Sequence, residues 1–176
     1  MLTEIQKVLN SSTFDSCPEF VRRILSANTI VLYGAGRVGL AMQAFAKRLR
    51  HAGFNSFYLQ DCTVPSTGPG DVFIVGSGSG STPSVVAVAE VAKQKGLDVI
   101  LLSANPTSRL NEISSCTILV NAPTKYSQLK ENESIQPMTT LFEQSLSILL
   151  DCLILEIMTL RSETSESMKN RHNVIE

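Results

Sequence analysis

Thr29-Ile30-Val31-Leu32-Tyr33-Gly34-Ala35-Gly36-Arg37-Val38-Gly39 is the stretch whose reading decides the fold. Its first half is a short β-branched, apolar run without polar alternation, as expected of a parallel strand buried on both faces. Its second half is a glycine loop. Residues 40–51 then carry helix formers, with Leu40, Ala41, Ala44, Phe45 and Leu49 on an apolar stripe. Strand, glycine turn and helix in that order open a βαβ unit.

The same alternation continues on both sides. Upstream, Ser16-Cys17-Pro18-Glu19 reads as a helix start, with proline in the first turn followed by an acid, so a helix is expected over 19–27. Downstream, further strands are expected at 54–59, 71–75, 98–102 and 117–120. Helices are expected at 84–95, closed by Gly96, at 108–113 and at 141–160. The pattern predicts an α/β fold, a three-layer αβα sandwich of Rossmann-like type around a five-stranded parallel sheet. One domain is expected over 1–176, with N-terminal helices at 1–27, an α/β core at 28–160 and a C-terminal tail at 161–176. Residues 121–137 are polar and irregular and are expected to form a mobile active-site loop.

Composition narrows the function classes. The chain has 176 residues, with 15 Lys+Arg against 16 Asp+Glu, a net charge of −1. That balance excludes the basic excess of a nucleic-acid binder. A 43% hydrophobic and 18% charged composition excludes disorder. The four cysteines, Cys17, Cys62, Cys116 and Cys152, are widely spaced, which predicts neither a metal site nor a disulfide framework. The first residues lack a basic start followed by an apolar run, so no secretory signal is expected. The 141–160 stretch is apolar, but Glu143, Asp151 and Glu156 lie inside it, which argues against a membrane span. A soluble, cytoplasmic protein is expected. At 100° per residue those three carboxylates point in about three directions. The helix is therefore expected to be buried on more than one side, partly by a second subunit.

Two glycine loops follow strands and open helices. The first, Gly34-Ala35-Gly36-Arg37-Val38-Gly39, fits a dinucleotide fingerprint, with Asp61 placed as a ribose-binding acid. A tight turn without a ligand is the plain alternative. The second, Gly76-Ser77-Gly78-Ser79-Gly80-Ser81-Thr82, combines glycine freedom, free N–H groups at a helix start and several hydroxyls. That chemistry suits a phosphate ester. The loop has no lysine and does not match the nucleotide P-loop. A dinucleotide fold does not need this second loop, which favours a phosphate-binding reading over a nicotinamide one.

These residues resemble the SIS (sugar isomerase) domain, whose phosphate-binding signature matches Ser77-Gly78-Ser79-Gly80-Ser81-Thr82. Within it the chain is most similar to the 6-phospho-3-hexuloisomerase branch, over almost its whole length. The likeness includes Gly34-Ala35-Gly36-Arg37, then Ala44-Phe45-Ala46-Lys47-Arg48-Leu49 and His51-Ala52-Gly53. It continues in Gln136-Pro137-Met138-Thr139-Thr140-Leu141-Phe142-Glu143 and in the tail Arg171-His172-Asn173-Val174-Ile175-Glu176. The resemblance implies a metal- and cofactor-free isomerase that interconverts D-arabino-hex-3-ulose 6-phosphate and fructose 6-phosphate.

It further implies that Ser77, Ser79 and Thr82 bind the phosphate, with Gly36 and Ser81 beside it. Arg37 would reach the phosphate or the sugar hydroxyls, and Glu143 would be the base. Moving a carbonyl from C3 to C2 needs a proton taken from one carbon and returned to its neighbour through an enediol. One carboxylate at the start of an apolar helix suits both steps, although a first-turn acid also stabilises a helix without any catalytic role. A second proton-carrying group points to His172 and His51. For His51 the alternative is helix-end stabilisation, and for His172 an unstructured tail. A homo-oligomer, dimer or tetramer, joined through 141–160 is expected. Three positions depart from the family pattern: Val38 stands in place of Ser, Ser81 in place of Glu, and Met138-Thr139-Thr140 lacks the usual Gly before Thr. A different ketose or aldose phosphate, or a regulatory phosphosugar-binding role, therefore stays open.

Overall fold

The computed structural model describes residues 1–12, 14–125, 134–172 and 175. Residues 126–133 of the expected active-site loop, and Asn173, Val174 and Glu176 of the family-like tail, lie outside the described residues. The elements in chain order are α1 (Leu2–Ser11), α2 (Cys17–Ser26), β1 (Ile30–Gly34), α3 (Gly36–His51), β2 (Ser56–Tyr58) and β3 (Val72–Gly76). They are followed by α4 (Pro83–Gln94), β4 (Asp98–Ser103), α5 (Arg109–Ile113), β5 (Cys116–Leu119), α6 (Thr140–Leu160) and α7 (Ser165–Lys169).

The five strands form one parallel sheet in the order β2-β1-β3-β4-β5. Because strand side chains alternate between faces, each strand supplies two cores. Ile30, Leu32, Val72, Ile74, Ile100 and Leu102 face the layer that contains α1, α2, α3 and α6. Val31, Phe73, Val75, Val99 and Leu101 face α4 and α5 through Val85, Ala89 and Leu110. The expected three-layer αβα architecture is what forms. Both faces of the sheet are covered, which is why its strands read as continuous apolar runs.

The chain runs from β1 out to β2 on one side and from β3 to β4 and β5 on the other. Strand order therefore reverses between β1 and β3. Crevices at such a switch point, beyond the carboxyl ends of the strands, hold ligands in open α/β sheets. Here those ends are Gly34 and Gly76, directly paired in the ladder. α3 crosses them at very short range. A Cβ placed on Gly39 would lie 2.5 Å from the Gly34 carbonyl oxygen and 2.8 Å from the Tyr58 hydroxyl. That hydroxyl donates to the same Gly34 oxygen at 2.8 Å. α3 thus begins at Gly36, four residues earlier than the apolar stripe alone suggests.

Two further differences are informative. Asp151 and Glu156 do not leave α6 without a solvent face. Both lie on one exposed strip with Ile148, Cys152, Leu155 and Thr159, while Leu146, Leu149, Leu150, Leu153 and Ile157 are buried. The strip spans about 140° of the helix, with Asp151 and Glu156 at its edges and apolar Leu155 (63% exposed) near its centre. The tail also folds. Thr164 and Ser167 make a capping box that starts α7, and Met168 packs into the core. Arg171 then forms a two-pronged pair with Glu163 at 2.8 and 3.0 Å and donates to the His51 carbonyl at 2.9 Å.

Gly39→Ala is expected to cost about 3 kcal/mol through backbone overpacking, lowering Tm by roughly 6–12 °C, as measured by calorimetry. The Glu163 carboxyl is held down to about 2, chiefly by the Arg171 hydrogen bond and then by Ser167. A depressed carboxyl contributes stability above its ordinary value of 4.5 and loses it as pH falls toward 2. The Tm difference between the wild type and Glu163→Gln is therefore expected to be constant at neutral pH and to close through that acid window. A difference independent of pH would contradict the ion pair.

Candidate active site

Three helices start at one opening. α3 begins at Gly36, α4 at Pro83 and α6 at Thr140, and all three ends line an open cleft of about 810 Å³ beyond β1 and β3. Unpaired N–H groups and the aligned peptide dipoles give each helix N-terminus a partial positive charge. Three of them pointing into one cleft suit a multiply charged anion.

The second glycine loop forms one wall. Gly80 has φ +67°, the left-handed region open to glycine, and a Cβ there would lie 2.0 Å from the Ser108 hydroxyl. The loop's carbonyls are engaged by neighbouring donors: those of Gly78, Ser79 and Gly80 accept from Ala104 N, Asn105 Nδ2 and Leu110 N at 3.1–3.2 Å. In a planar trans peptide the N–H points opposite to the C=O, so the Ser79 amide points away from Ala104. Among the described residues, the Ser79 and Thr82 amides meet no protein acceptor. Ser77 is nearly buried; its hydroxyl accepts from Gly80 N at 3.2 Å and lies 3.2 Å from the Thr82 hydroxyl. Ser77 therefore organises the loop as well as facing the cleft. Ser81 lies at the rim, with its amide donating to the Ser79 hydroxyl at 3.3 Å.

The first glycine loop forms the opposite wall. Gly36 has φ +58° with nothing within 4 Å of an added Cβ. Val38 is buried, and its Cγ1 fills the space that a Cβ on Gly76 or Gly34 would need. The valine side chain is thus packed against the strand ends. Asp61 does not line the cleft; its Oδ2 accepts from the Tyr58 amide at 3.1 Å in the turn after β2. The ribose-binding role open to it in a dinucleotide fold has no support in this geometry.

Arg37 and Glu143 meet across the cleft. Arg37 Nε donates to Glu143 Oε2 at 2.5 Å, and the two residues stand in the first turns of α3 and α6, 106 positions apart. The arginine side chain is 66% exposed and the glutamate 14%. The cleft also contains Met138 and Thr139 of the family-like run, and three residues that motif reading passes over: Asn105, Thr124 and Lys125. Asn105 and Lys125 follow the carboxyl ends of β4 and β5, and that position is the signal that finds them. Met138 holds φ +57°, uncommon for a side chain of its size.

The two histidines come together, but elsewhere. Their rings lie 5.0 Å apart at the far end of α3, about 22 Å along the helix from Gly36 by the 1.5 Å rise. They line a second cleft of about 490 Å³ with Arg48, Asp151 and Lys169. His51 is 7% exposed, and its Nε2 has no partner among the described residues. Burial, then the neighbouring His172, Lys47 and Arg48, push its pKa down. Within one chain neither histidine reaches the glycine-loop cleft. No group of described residues has the makings of a metal site, and no helix among them is long and apolar enough to cross a membrane.

Comparison with known proteins gives this geometry its context. A family model described as SIS domain matches residues 23–150. A Bacillus subtilis protein named 3-hexulose-6-phosphate isomerase is 34% identical over 175 residues, covering 98% of this chain and 95% of its own. One of the same name from Methanocaldococcus jannaschii is 35% identical over 156 residues, covering 88% and 82%. Among solved structures, a Methanococcus jannaschii protein superposes with a TM-score of 0.85 at 30% identity, covering 98% of this chain and 95% of its own. A molecular function of 3-hexulose-6-phosphate isomerase has been inferred for it.

Gly80→Ala is expected to displace the loop from Ser108 and to weaken inorganic phosphate at least tenfold, since the added Cβ clashes and the backbone angle is strained. Thermal-shift titration with phosphate measures this, and unchanged protection would show that the loop does not hold the anion.

Proposed function

The chain belongs to the SIS domain family, and on that premise we propose that it is a phosphosugar isomerase interconverting D-arabino-hex-3-ulose 6-phosphate and fructose 6-phosphate. The observation that carries this reading is the Arg37–Glu143 pair at the mouth of a cleft where three helix N-termini converge. The near-full-length relatives of that name support the choice of sugar.

In this proposal the phosphate sits against the Ser79 and Thr82 amides, the hydroxyls of Ser77, Ser79, Ser81 and Thr82, and the Gly36 turn. With its arginine two-thirds exposed, the ion pair is screened by water and contributes about 1 kcal/mol, whereas a guanidinium bound to phosphate makes stronger, charge-assisted hydrogen bonds. The arriving dianion draws Arg37 from Glu143 and leaves the carboxylate free. Glu143 then takes the proton from C2 of the 3-ulose as the C2=C3 enediol forms and O3 gains a proton. It returns the proton to C3 while O2 loses its own, and the carbonyl stands at C2. Lys125, Asn105 and Thr139 lie where sugar hydroxyls would meet them. His51 and His172 would serve this chemistry only from a second copy of the chain. The exposed Ile148–Cys152–Leu155 strip of α6 suits such a subunit contact. The four unpaired thiols fit work in a reducing cytoplasm.

The test is a coupled assay with 3-hexulose 6-phosphate. Turnover is expected in the wild type, with a loss of about 10²–10⁴-fold in kcat for Glu143→Gln. In D2O, deuterium is expected at C3 of fructose 6-phosphate. Arg37→Ala is expected to weaken substrate binding without abolishing turnover. Absence of wild-type turnover with tight fructose 6-phosphate binding would make the chain a phosphosugar-binding protein instead.

A further inference from the structure

A third side of the cleft, next to the phosphate loop, is carried by chain segments with no regular structure of their own. Thr124 and Lys125 reach the cleft just after β5, and Met138 and Thr139 reach it just before α6. Both segments are held from outside by the same element, α1. At its C-terminal end, the Ser12 hydroxyl donates to the Val8 carbonyl at 2.8 Å and accepts from the Asn121 amide at 2.9 Å. Toward its N-terminal end, the Glu4 carboxylate accepts from the Ile135 amide at 3.1 Å and from Gln136 Nε2 at 3.2 Å. Glu4 and Val8, four apart, share one face of α1, and Ser12 caps the same face at its C-terminus through the Val8 carbonyl. Gln136 is 8% exposed, so this is a nearly buried polar contact. α1 itself is packed onto α6 through Ile5 and Val8.

We infer that α1 is a positioning element for the sugar-facing wall of the cleft, with Glu4 and Ser12 as the two residues that hold it. Glu4 fixes the segment whose Pro137 carbonyl accepts from the first amide of α6, at Thr140 (3.2 Å). It thereby sets where Met138, Thr139 and the first turn carrying Glu143 stand. Ser12 fixes Asn121, three residues before Thr124. The phosphate loop, by contrast, takes its hydrogen bonds from Ala104, Asn105 and Leu110 on the β4–α5 side, and meets the α1-held wall by packing, where a Cβ on Gly78 would lie 3.0 Å from Thr139 and 3.3 Å from Thr124. The two halves of the cleft therefore have separate hydrogen-bonded supports. A fault in α1 is expected to be felt by the sugar more than by the phosphate.

This inference rests on the phosphosugar reading of the cleft but not on turnover, so binding measurements test it separately. Fructose 6-phosphate and inorganic phosphate are titrated calorimetrically into the full chain as wild type, Glu4→Ala and Ser12→Ala. Losing charge-assisted contacts at Glu4 is expected to weaken fructose 6-phosphate about tenfold and inorganic phosphate less than about twofold. Ser12→Ala is expected to show the same split at smaller amplitude. Where Glu4→Ala melts too low to titrate, Glu4→Gln, which keeps one acceptor for the Ile135 amide, is expected to show the split. Equal weakening of both ligands, or no change in either, overturns the inference. Failure of the wild type to bind fructose 6-phosphate at all would instead overturn the phosphosugar reading.

Discussion

The close approach of α3 to the end of β1 is the constraint from which the rest of the molecule follows. A helix can rest on a strand end at that distance only where no side chain intervenes, and Gly34, Gly39 and Gly76 leave the space. Val38 and Met42 then fill what the glycines vacate, and the Tyr58 hydroxyl ties β2 to the same carbonyl. Once α3 is seated there, its first turn overhangs the point where strand order reverses. The cleft is a by-product of that seating. Its depth comes from the sheet ending in two glycines, and its far wall from α6 packing against α3.

The cleft suits an anion by geometry rather than by net charge. A chain with a net charge of −1 has no basic surface to spare. Three helix starts, a loop whose carbonyls are already engaged by protein donors, the exposed Arg37 guanidinium and Lys125 gather positive potential in a single place. Such a site is selective as well as attractive. Fixed amide directions favour a tetrahedral oxyanion group over a diffuse negative surface, which keeps a near-neutral protein free of nonspecific polyanions.

Much of this was legible from residue order. Period and punctuation located every strand within about two residues, because strands buried on both faces read as unbroken apolar runs. The two glycine loops identified both cleft walls, and the family likeness pointed to Arg37 and Glu143. What escaped were relations between distant segments. Nothing local says that Glu4 reaches Ile135, that Asn105 braces Ser79, or that His51 and His172 share a cleft away from the glycine loops. α6 misled for a related reason. Angle alone does not decide which of its carboxylates meet water, because exposure is set by neighbours: α1, α2 and α3 cover one side and leave Asp151 and Glu156 on the other. The tail looked too polar to fold, yet a capping box and a single arginine were enough to dock it.

The ion pair across the cleft also bears on what the protein leaves alone. With no ligand bound, the carboxylate proposed to abstract a proton is already engaged by Arg37. A free sugar or other small carbonyl compound that drifts in carries no dianion to draw that arginine away, and so meets a base that is occupied. In the proposed reaction the phosphate would then be more than a handle for binding. It would act as the key that arms the enzyme, confining chemistry to phosphorylated metabolites in a cell full of unphosphorylated look-alikes.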